Sequence, residues 1–370
     1  MKIVVLSQRS PMEIGGVERM VRELSIRLGK MHEVHVVCLG RYAAEDLYRG
    51  VKIHTLKGHL GSAFPPFGYM DKVLGLRPDW IYAHNFSSFV PFAAARIKRV
   101  NPLVKLLLHP HYHPVEALGL KSFVRLSYDS TLGKMNFDSA DGIVANSKSE
   151  LKAIRNRFMP SSPIYVLYNG IDIGRLQYAK AQQLQGPRIP ILFVGRLVSY
   201  KNPLRTVSLM RSLPAEYHLY IIGAGPLERK LRKLIEVEHL VNRVTMVGVV
   251  SDNELASWYK AVCCLVHLSR SESFGMTCIE ALAAGTPCVV NDDGFGLSET
   301  MRMFPRSIFA SNVEKESDYQ LSNLIQRVAS LKPVREDLTM FSWDTLASRL
   351  ISILEDPVSA FYSSEANNRC

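Results

Sequence analysis

Short apolar runs alternate with stretches of helical periodicity along most of this chain of 370 residues. Lys2–Ser7 is the first apolar run, and after a polar loop apolar residues recur at threes and fours from Val17 to Leu28. That spacing predicts an amphipathic helix after a buried strand. Alternation of this kind predicts a parallel β-sheet covered on both faces by helices. The predicted fold class is therefore α/β.

The alternation occurs twice, on either side of a polar stretch. Tyr178–Pro190 carries Gln, Gly and Pro without an apolar period, which is typical of a linker. The predicted strands before it are Lys2–Ser7, Glu33–Leu39, Asp79–His84, Val104–Leu108, Gly142–Ala145 and Pro163–Leu167. The predicted strands after it are Ile191–Gly195, His218–Gly223, Arg243–Val247, Cys263–Leu268 and Cys288–Asn291. The predicted helices after it are Pro203–Leu213, Leu227–Glu236, Asp252–Lys260, Phe274–Ala284 and Trp343–Leu354. We predict domains at residues 1–177 and 191–355, a linker at 178–190 and a tail at 356–370.

The composition is that of a globular protein, but the charge is unusual. Hydrophobic residues make up 47% and charged residues 21%, which excludes wholesale disorder. The net charge of +11 predicts an anionic partner: nucleic acid, a membrane surface or a phosphorylated small molecule. No basic motif interleaved with aromatic residues is present, so nucleic acid is not expected. Basic residues that could face anionic lipid are Arg22, Arg27, Arg96, Lys98, Arg99, Lys105, Lys121 and Arg125.

The location is expected to be the cytoplasm, with peripheral association to the inner face of the membrane as a further hypothesis. No apolar run approaches the length of a membrane span, and the apolar part of MKIVVLSQ is too short for a secretion signal. The cysteines form neither a CxxC pair nor a zinc-ligand spacing. A disulfide framework or a zinc site is therefore not expected.

Candidate phosphate ligands lie between a predicted strand and the following helix. Gly195-Arg196-Leu197 ends the strand, and Lys201 precedes the helix that begins near Pro203. In parallel sheets, ligands bind beyond the carboxyl ends of the strands. Arginine offers a rigid fork for phosphate oxygens, and lysine a compact charge. The alternative is two solvated basic residues in a loop.

Two carboxylates, Glu272 and Glu280, flank the turn Phe274-Gly275-Met276 after another predicted strand. Their spacing would let each carboxylate contact one end of an elongated ligand. The backbone N–H groups of residues 274–276 would lie at the start of the following helix, where they could bind an anion. The alternative is an acid that stabilises the helix dipole and one exposed glutamate.

Two glycine-rich turns also follow predicted strands. Gly15-Gly16 either lets the backbone approach a ligand or forms a tight turn. Gly223-Ala224-Gly225-Pro226 is a fragment of the dinucleotide fingerprint without its third glycine and its acidic residue, so that fingerprint is poorly supported.

Three histidines, His109, His111 and His113, follow the predicted strand Val104–Leu108. Alternate imidazoles in an extended segment could ligate a metal, but alternate residues point to opposite faces, so two at most would share a side. A histidine that lines a cleft and positions a polar ligand is the favoured interpretation. A surface loop with several histidines is the alternative.

Together these segments resemble the large retaining glycosyltransferase family 4, whose members have the GT-B fold, two Rossmann-like domains facing across a cleft. The similarity covers most of the chain. Besides the segments above it includes Val17-Glu18-Arg19, Asn169-Gly170-Ile171-Asp172, Ile222 and Glu280-Ala281-Leu282-Ala283-Ala284-Gly285-Thr286-Pro287. The C-terminal helix is expected to return toward the first domain.

The resemblance implies roles for the matching positions. Arg196 and Lys201 would hold the donor diphosphate and offset the charge on the leaving group. Glu272 would contact hydroxyls of the transferred sugar and Glu280 the ribose. The remaining donor-side positions are Gly15 and Gly16, Val249 near the base, the amides of Phe274, Gly275 and Met276, and a histidine for which His111 fits best and His109 next.

The resemblance also implies the chemistry: transfer from a nucleotide-diphosphate sugar to a hydroxyl of a glycan, glycolipid or lipid-linked sugar, with retention. Two cations and helix-end amides can stabilise the leaving diphosphate electrostatically. No Asp-x-Asp motif is present, because Asp292 and Asp293 are adjacent, so we expect neither a metal nor a cofactor. Leu268 replaces the family's usual proline, and Phe295–Glu299 departs from its Gly-Gly-x-Pro-Glu segment, which leaves the sugar preference open.

Two further classes of protein remain as alternatives. A sugar-nucleotide epimerase can share the double-Rossmann architecture, although the paired glutamates argue against it. A non-catalytic protein that binds a sugar nucleotide or a lipid is the second alternative.

Overall fold

The computed structural model describes residues 1–13, 15–59, 64–112, 127–184, 186 and 188–366. It divides into two compact units, Met1–Gly170 with Trp343–Cys370, and Ile171–Ser342. His113, Lys121 and Arg125 lie outside the described residues. Among the described residues, no helix is both long and apolar enough to cross a membrane.

The first unit contains a sheet with the strand order β3-β4-β2-β1-β5-β6-β7-β8. The strands are β1 Lys2–Arg9, β2 Glu33–Gly40, β3 Ala44–Tyr48, β4 Val51–Lys57, β5 Trp80–His84, β6 Lys105–His109, β7 Gly142–Ala145 and β8 Ile164–Val166. All neighbours are parallel except β3 and β4, which form an antiparallel edge pair. The prediction of a parallel sheet missed this pair, because β3 is almost wholly exposed and has no apolar run.

Helices cover both faces of this sheet. They are α1 Gly16–Leu28, α2 Tyr69–Gly75, α3 Val90–Val100, α4 Lys134–Asp138 after the π-helical turn Asp129–Gly133, α5 Lys148–Phe158, α13 Trp343–Glu355 and α14 Pro357–Ala366. One apolar layer includes Ile97 of α3 and Phe158 of α5. The opposite layer includes Leu24 of α1 with Leu346 and Leu350 of α13.

The C-terminal segment therefore belongs to the first unit. The guanidinium of Arg19 lies 6.0 Å from the ring centroid of Trp343, and the Tyr165 hydroxyl donates to the Pro357 carbonyl at 2.9 Å. Pro357 ends α13 as predicted, but it also begins α14, since proline is well suited to the first turn of a helix. The stretch 356–370, expected as a tail, thus contains a further helix.

The second unit contains a parallel sheet with the order β11-β10-β9-β12-β13-β14. Its strands are β9 Ile189–Val194, β10 Tyr217–Ile222, β11 Val244–Gly248, β12 Cys264–His267, β13 Cys288–Asn291 and β14 Ile308–Ser311. Its helices are α6 Ile173–Tyr178, α7 Pro203–Ser208, α8 Glu228–Val237, α9 Asp252–Ala261, α10 Met276–Ala284, α11 Gly296–Met303 and α12 Asp318–Ala329, with short 3-10 turns at Ser199–Lys201, Leu209–Arg211 and Thr339–Phe341. Because α6 packs against α9 and α10, the second unit begins at Ile171, earlier than the polar stretch 178–190 that composition suggested.

Candidate functional site

The strand order of the second unit reverses between β9 and β12, which are neighbours in the sheet. In open α/β sheets, ligands bind at such a reversal, beyond the carboxyl ends of the strands. Gly195 and Arg196 follow β9, and His267 is the last residue of β12. The predicted residues Arg196, Lys201 and Glu272 all lie on the loops that leave these two strands.

Lys201 and Glu272 form an ion pair across these loops. Both side chains are largely buried, and the Glu272 carboxylate also receives His267 Nε2 at 3.2 Å. Burial alone would raise the pKa of Glu272, but the Lys201 ammonium and the His267 hydrogen bond outweigh it and hold that pKa well below its usual range. Arg196 is exposed nearby along the chain, and its side chain makes no hydrogen bond or ion pair with the described residues. The site therefore contains one paired and one unpaired cation.

The helix after Glu272 begins at Met276, two residues later than predicted. Gly275 has a φ of +79°, and a Cβ there would lie 2.6 Å from Leu297 Cδ2, so glycine is required by both conformation and space. The ring of Phe274 is fully buried and packs 5.4 Å from that of Phe341. This leaves the backbone of residues 274–276 as the part that a ligand could contact.

Glu280 lies on the second turn of α10 and is nearly buried. The Tyr259 hydroxyl donates to Glu280 Oε2 at 3.1 Å, and burial raises the pKa of Tyr259 well above its usual value. The Tyr259 hydroxyl therefore keeps its proton and holds the Glu280 carboxyl group in place through this hydrogen bond. The interpretation of Glu280 as a freely exposed acid is wrong.

Asp293 also belongs to this site, although its sequence position next to Asp292 suggested only that an Asp-x-Asp metal motif is absent. Its carboxylate accepts from the backbone N–H of Glu272 at 3.0 Å, of Phe295 at 2.8 Å and of Ser298 at 3.2 Å. It thus binds the Glu272 loop to the first turn of α11. An Asp-Gly pair directly before a helix is a capping signal that could have identified it.

The glycine-rich turn after β10 serves packing between loops. A Cβ at Gly223 would overlap the Gly195 carbonyl oxygen, and one at Gly225 would lie 2.7 Å from the backbone of Leu197. The Leu197 N–H donates to the Ala224 carbonyl at 3.0 Å. These glycines therefore let two strand-end loops touch through their backbones, which places the Arg196 loop. Val249, the position expected near a base, is exposed directly after β11.

In the first unit the strand order reverses between β1 and β5. Gly15 directly precedes α1, the helix that follows β1, and a Cβ at Gly15 would overlap the Glu18 carboxylate, whereas Gly16 has open space around it. The Glu18 side chain is flexible and can move aside, so space does not require glycine at Gly15, and Gly16 leaves room for another group. Burial raises the pKa of Glu18.

Three adjacent strands of the first unit end in polar residues. His84 and His109 are the last residues of β5 and β6, and Asn146 directly follows β7. The Asn146 amide bridges two histidines, because His109 Nε2 lies 2.8 Å from its Oδ1 and its Nδ2 lies 2.9 Å from His111 Nδ1. His111 Nε2 in turn lies 3.1 Å from His84 Nδ1. The result is a hydrogen-bonded chain of imidazoles at the reversal point.

The expectation that alternate histidines point to opposite faces was wrong, because side chains two residues apart lie on the same side of an extended strand. The rings of His109 and His111 stack with centroids 4.2 Å apart, and His111 has a φ of +50°. His109 is fully buried, and burial lowers its pKa to about 4. His111 is only partly buried and is thus the more accessible of the two. His84 was missed, although its position at the end of a predicted strand was a usable signal.

His84, His109 and His111 each place one ring nitrogen within 4.8 Å of the others, a spacing compatible with a shared metal ion. The planes of His109 and His111 lie within 14° of each other, so their lone pairs run side by side in this arrangement. Burial lowers the pKa of His84 well below its usual value and favours its neutral form. The hydrogen bonds through Asn146 and between His84 and His111 hold the three rings in these positions.

The chain matches two family models that follow each other along the sequence. Residues 14–175 match Glycosyltransferase Family 4, and residues 175–342 match Glycosyl transferases group 1. An uncharacterised glycosyltransferase of Methanocaldococcus jannaschii is 27% identical over 95% of this chain and 97% of its own length. A D-inositol 3-phosphate glycosyltransferase of Streptomyces scabiei is 28% identical over 81% and 72%. A GDP-mannose:cellobiosyl-diphosphopolyprenol alpha-mannosyltransferase of Xanthomonas oryzae pv. oryzae is 24% identical over 79% of both chains.

Solved structures agree on the fold. Sucrose-phosphate synthase from Thermosynechococcus elongatus superposes with a TM-score of 0.80, at 18% identity over 97% of this chain and 99% of its own. Anabaena HepE in complex with UDP and glucose gives a TM-score of 0.66, at 18% identity over 100% of both chains. Two Rossmann-like units with sites at their strand reversals thus define a protein of the GT-B class. The chain belongs to the group 1 / family 4 glycosyltransferases and is an enzyme of the hexosyltransferase type.

Replacing Asp293 tests the link between the two loops. Asp293→Ala leaves several partly buried backbone N–H groups without an acceptor, and we expect it to lower the free energy of unfolding by about 2 kcal/mol in urea titrations. Asp292→Ala is the matched control, since Asp292 is exposed and, among the described residues, its side chain bonds only the Ser298 hydroxyl. Equal losses for the two variants would contradict the role given to Asp293.

Proposed function

We propose that the enzyme transfers a hexose from a nucleotide-diphosphate sugar to a hydroxyl acceptor, with retention of configuration and without a metal ion. The observation that carries the proposal is the cluster of Lys201, Glu272 and exposed Arg196 at the strand reversal of the second unit. The two cations there match the diphosphate of such a donor, and the carboxylate matches the hydroxyls of its sugar.

The charges suggest how the donor is recognised. In the free protein the Lys201 ammonium is neutralised by Glu272. A bound diphosphate competes for that ammonium, and Arg196 supplies a second cation that no described residue occupies. Backbone N–H groups at the start of α10 add a helix N-terminus. Together these groups stabilise the charge that develops on the leaving diphosphate as the glycosyl bond breaks.

The proposed acceptor is a glycan, a glycolipid or a lipid-linked sugar. In support, the Xanthomonas relative is by name a mannosyltransferase that acts on a diphosphopolyprenol-linked sugar. Peripheral contact with anionic lipid is a further part of the proposal, because Arg96, Arg99 and Lys105 are exposed next to exposed Val100 and Leu103. Failure to sediment with phosphatidylglycerol vesicles at low salt would remove this part.

The donor base and sugar stay open within this proposal. HepE was solved with UDP and glucose, whereas the Xanthomonas relative is named for GDP-mannose. None of the relatives named above is described as an epimerase, and no observation favours a role limited to binding.

Substitution of the paired lysine tests the assignment of the site. Lys201→Ala removes a cation proposed to stabilise the leaving diphosphate, and we expect kcat/KM to fall at least roughly 100-fold in an assay of nucleotide release. Lys230→Ala, on the exposed face of α8, is the control and should leave turnover unchanged. Circular dichroism and the melting temperature establish that both variants fold. Wild-type turnover in folded Lys201→Ala protein would overturn the assignment.

Metal removal tests the electrostatic part of the proposal. Because protein cations and amides are proposed to stabilise the diphosphate, turnover in excess EDTA should stay within about twofold of turnover in magnesium. Loss of turnover in EDTA that added magnesium or manganese restores would show that an ion is needed.

A further inference from the structure

His267 is a fully buried histidine that lies beside the proposed sugar-binding carboxylate. It is the last residue of β12, and its two ring nitrogens have different partners. Nε2 lies 3.2 Å from Glu272 Oε1, and Nδ1 lies 3.3 Å from the Thr277 hydroxyl. Thr277 belongs to the first turn of α10, so the imidazole connects a strand end, a loop and a helix.

The partners determine where the proton of His267 lies. Glu272 is ionised, and a carboxylate can only accept hydrogen bonds, so Nε2 must carry the proton and donate. Burial lowers the pKa of His267, which keeps the ring neutral despite the opposing effect of Glu272. Nδ1 then holds a lone pair, and the Thr277 hydroxyl donates to it. The environment therefore selects one tautomer.

The two oxygens of Glu272 are used unequally. Oε1 receives both the Lys201 ammonium and His267 Nε2. Oε2 receives no hydrogen bond from the described residues, and the side chain keeps 12% of its surface exposed. A carboxylate oxygen has the capacity for two hydrogen bonds, so Oε2 is the atom left for a ligand.

We propose that His267 is a positioning residue that fixes Glu272 through Oε1 and presents Oε2 to a hydroxyl of the donor sugar. This inference rests on the proposed function, in which the donor diphosphate competes for Lys201. When Lys201 turns to the diphosphate, His267 still holds Oε1, so the carboxylate keeps its orientation. Thr277 acts one step further away, because its hydroxyl donates to His267 Nδ1 and helps to fix the ring.

The discriminating measurement compares affinity for the nucleotide with affinity for the nucleotide sugar. UDP with UDP-glucose and GDP with GDP-mannose are the probes, measured by calorimetry. In His267→Leu we expect nucleotide affinity within twofold of wild type, nucleotide-sugar affinity roughly 10-fold lower, and kcat/KM roughly 10- to 100-fold lower. His267→Gln keeps a donor toward Glu272 and an acceptor toward Thr277, and should restore most of the loss.

A buried histidine elsewhere in the same unit provides the control. His218 on β10 bonds Arg188 and Thr245, away from Glu272, so His218→Leu should destabilise the fold without changing the preference for the sugar nucleotide. A purely structural role for His267 predicts the same behaviour for His267→Leu as for His218→Leu. That result, or no rescue by His267→Gln, overturns the inference while the proposed function stands.

Ring nitrogen NMR tests the tautomer without any donor. His267 should show a protonated Nε2 and an unprotonated Nδ1 in the free protein, and Thr277→Val should keep that tautomer, because the Glu272 carboxylate still requires a donor at Nε2. A predominant Nδ1–H form in wild type contradicts the inference, even if no nucleotide sugar is turned over. The absence of all binding and turnover in wild type, with the expected tautomer, counts instead against the proposed function.

Discussion

The ion pair between Lys201 and Glu272 is the interaction on which the arrangement of the second unit's site depends. Two largely buried charges are stable there because each neutralises the other and Glu272 gains a further donor in His267. The pair connects loops that leave different strands, β9 and β12. Gly223 supports the Arg196 loop by a close backbone approach, and the Asp293 carboxylate holds the Glu272 loop, so residues outside the ion pair help to set its position.

At the point where the strand order of the first sheet reverses, the first unit has a hydrogen-bonded histidine cluster instead of an ion pair. The geometry of its polar cluster comes from hydrogen bonds among His84, His109, His111 and Asn146. The more accessible member, His111, is the one for which the family resemblance implied a role. Because burial lowers the pKa of His84 and of His109, these two imidazoles stay neutral in the neutral pH range.

The sequence was sufficient to predict what depends on local periodicity. The two α/β halves, most strands and the strand-end placement of Arg196, Lys201 and Glu272 follow from apolar runs and the turns after them. The β3–β4 edge pair was missed because an exposed edge strand needs no apolar pattern. His84, His267 and Asp293 were missed for another reason. The role of each residue depends on a hydrogen-bond partner on a different strand or loop, and only the fold brings those partners together.

The division of the chain affects how the protein can be made. Ile171–Ser342 is continuous, whereas the first unit is completed only by Trp343–Cys370. One apolar layer of the first sheet contains Leu24 of α1 together with Leu346 and Leu350 of α13. During synthesis this layer cannot be completed until the whole intervening unit has been translated. An apolar surface therefore stays uncovered until α13 has been translated, and such surfaces favour aggregation during synthesis.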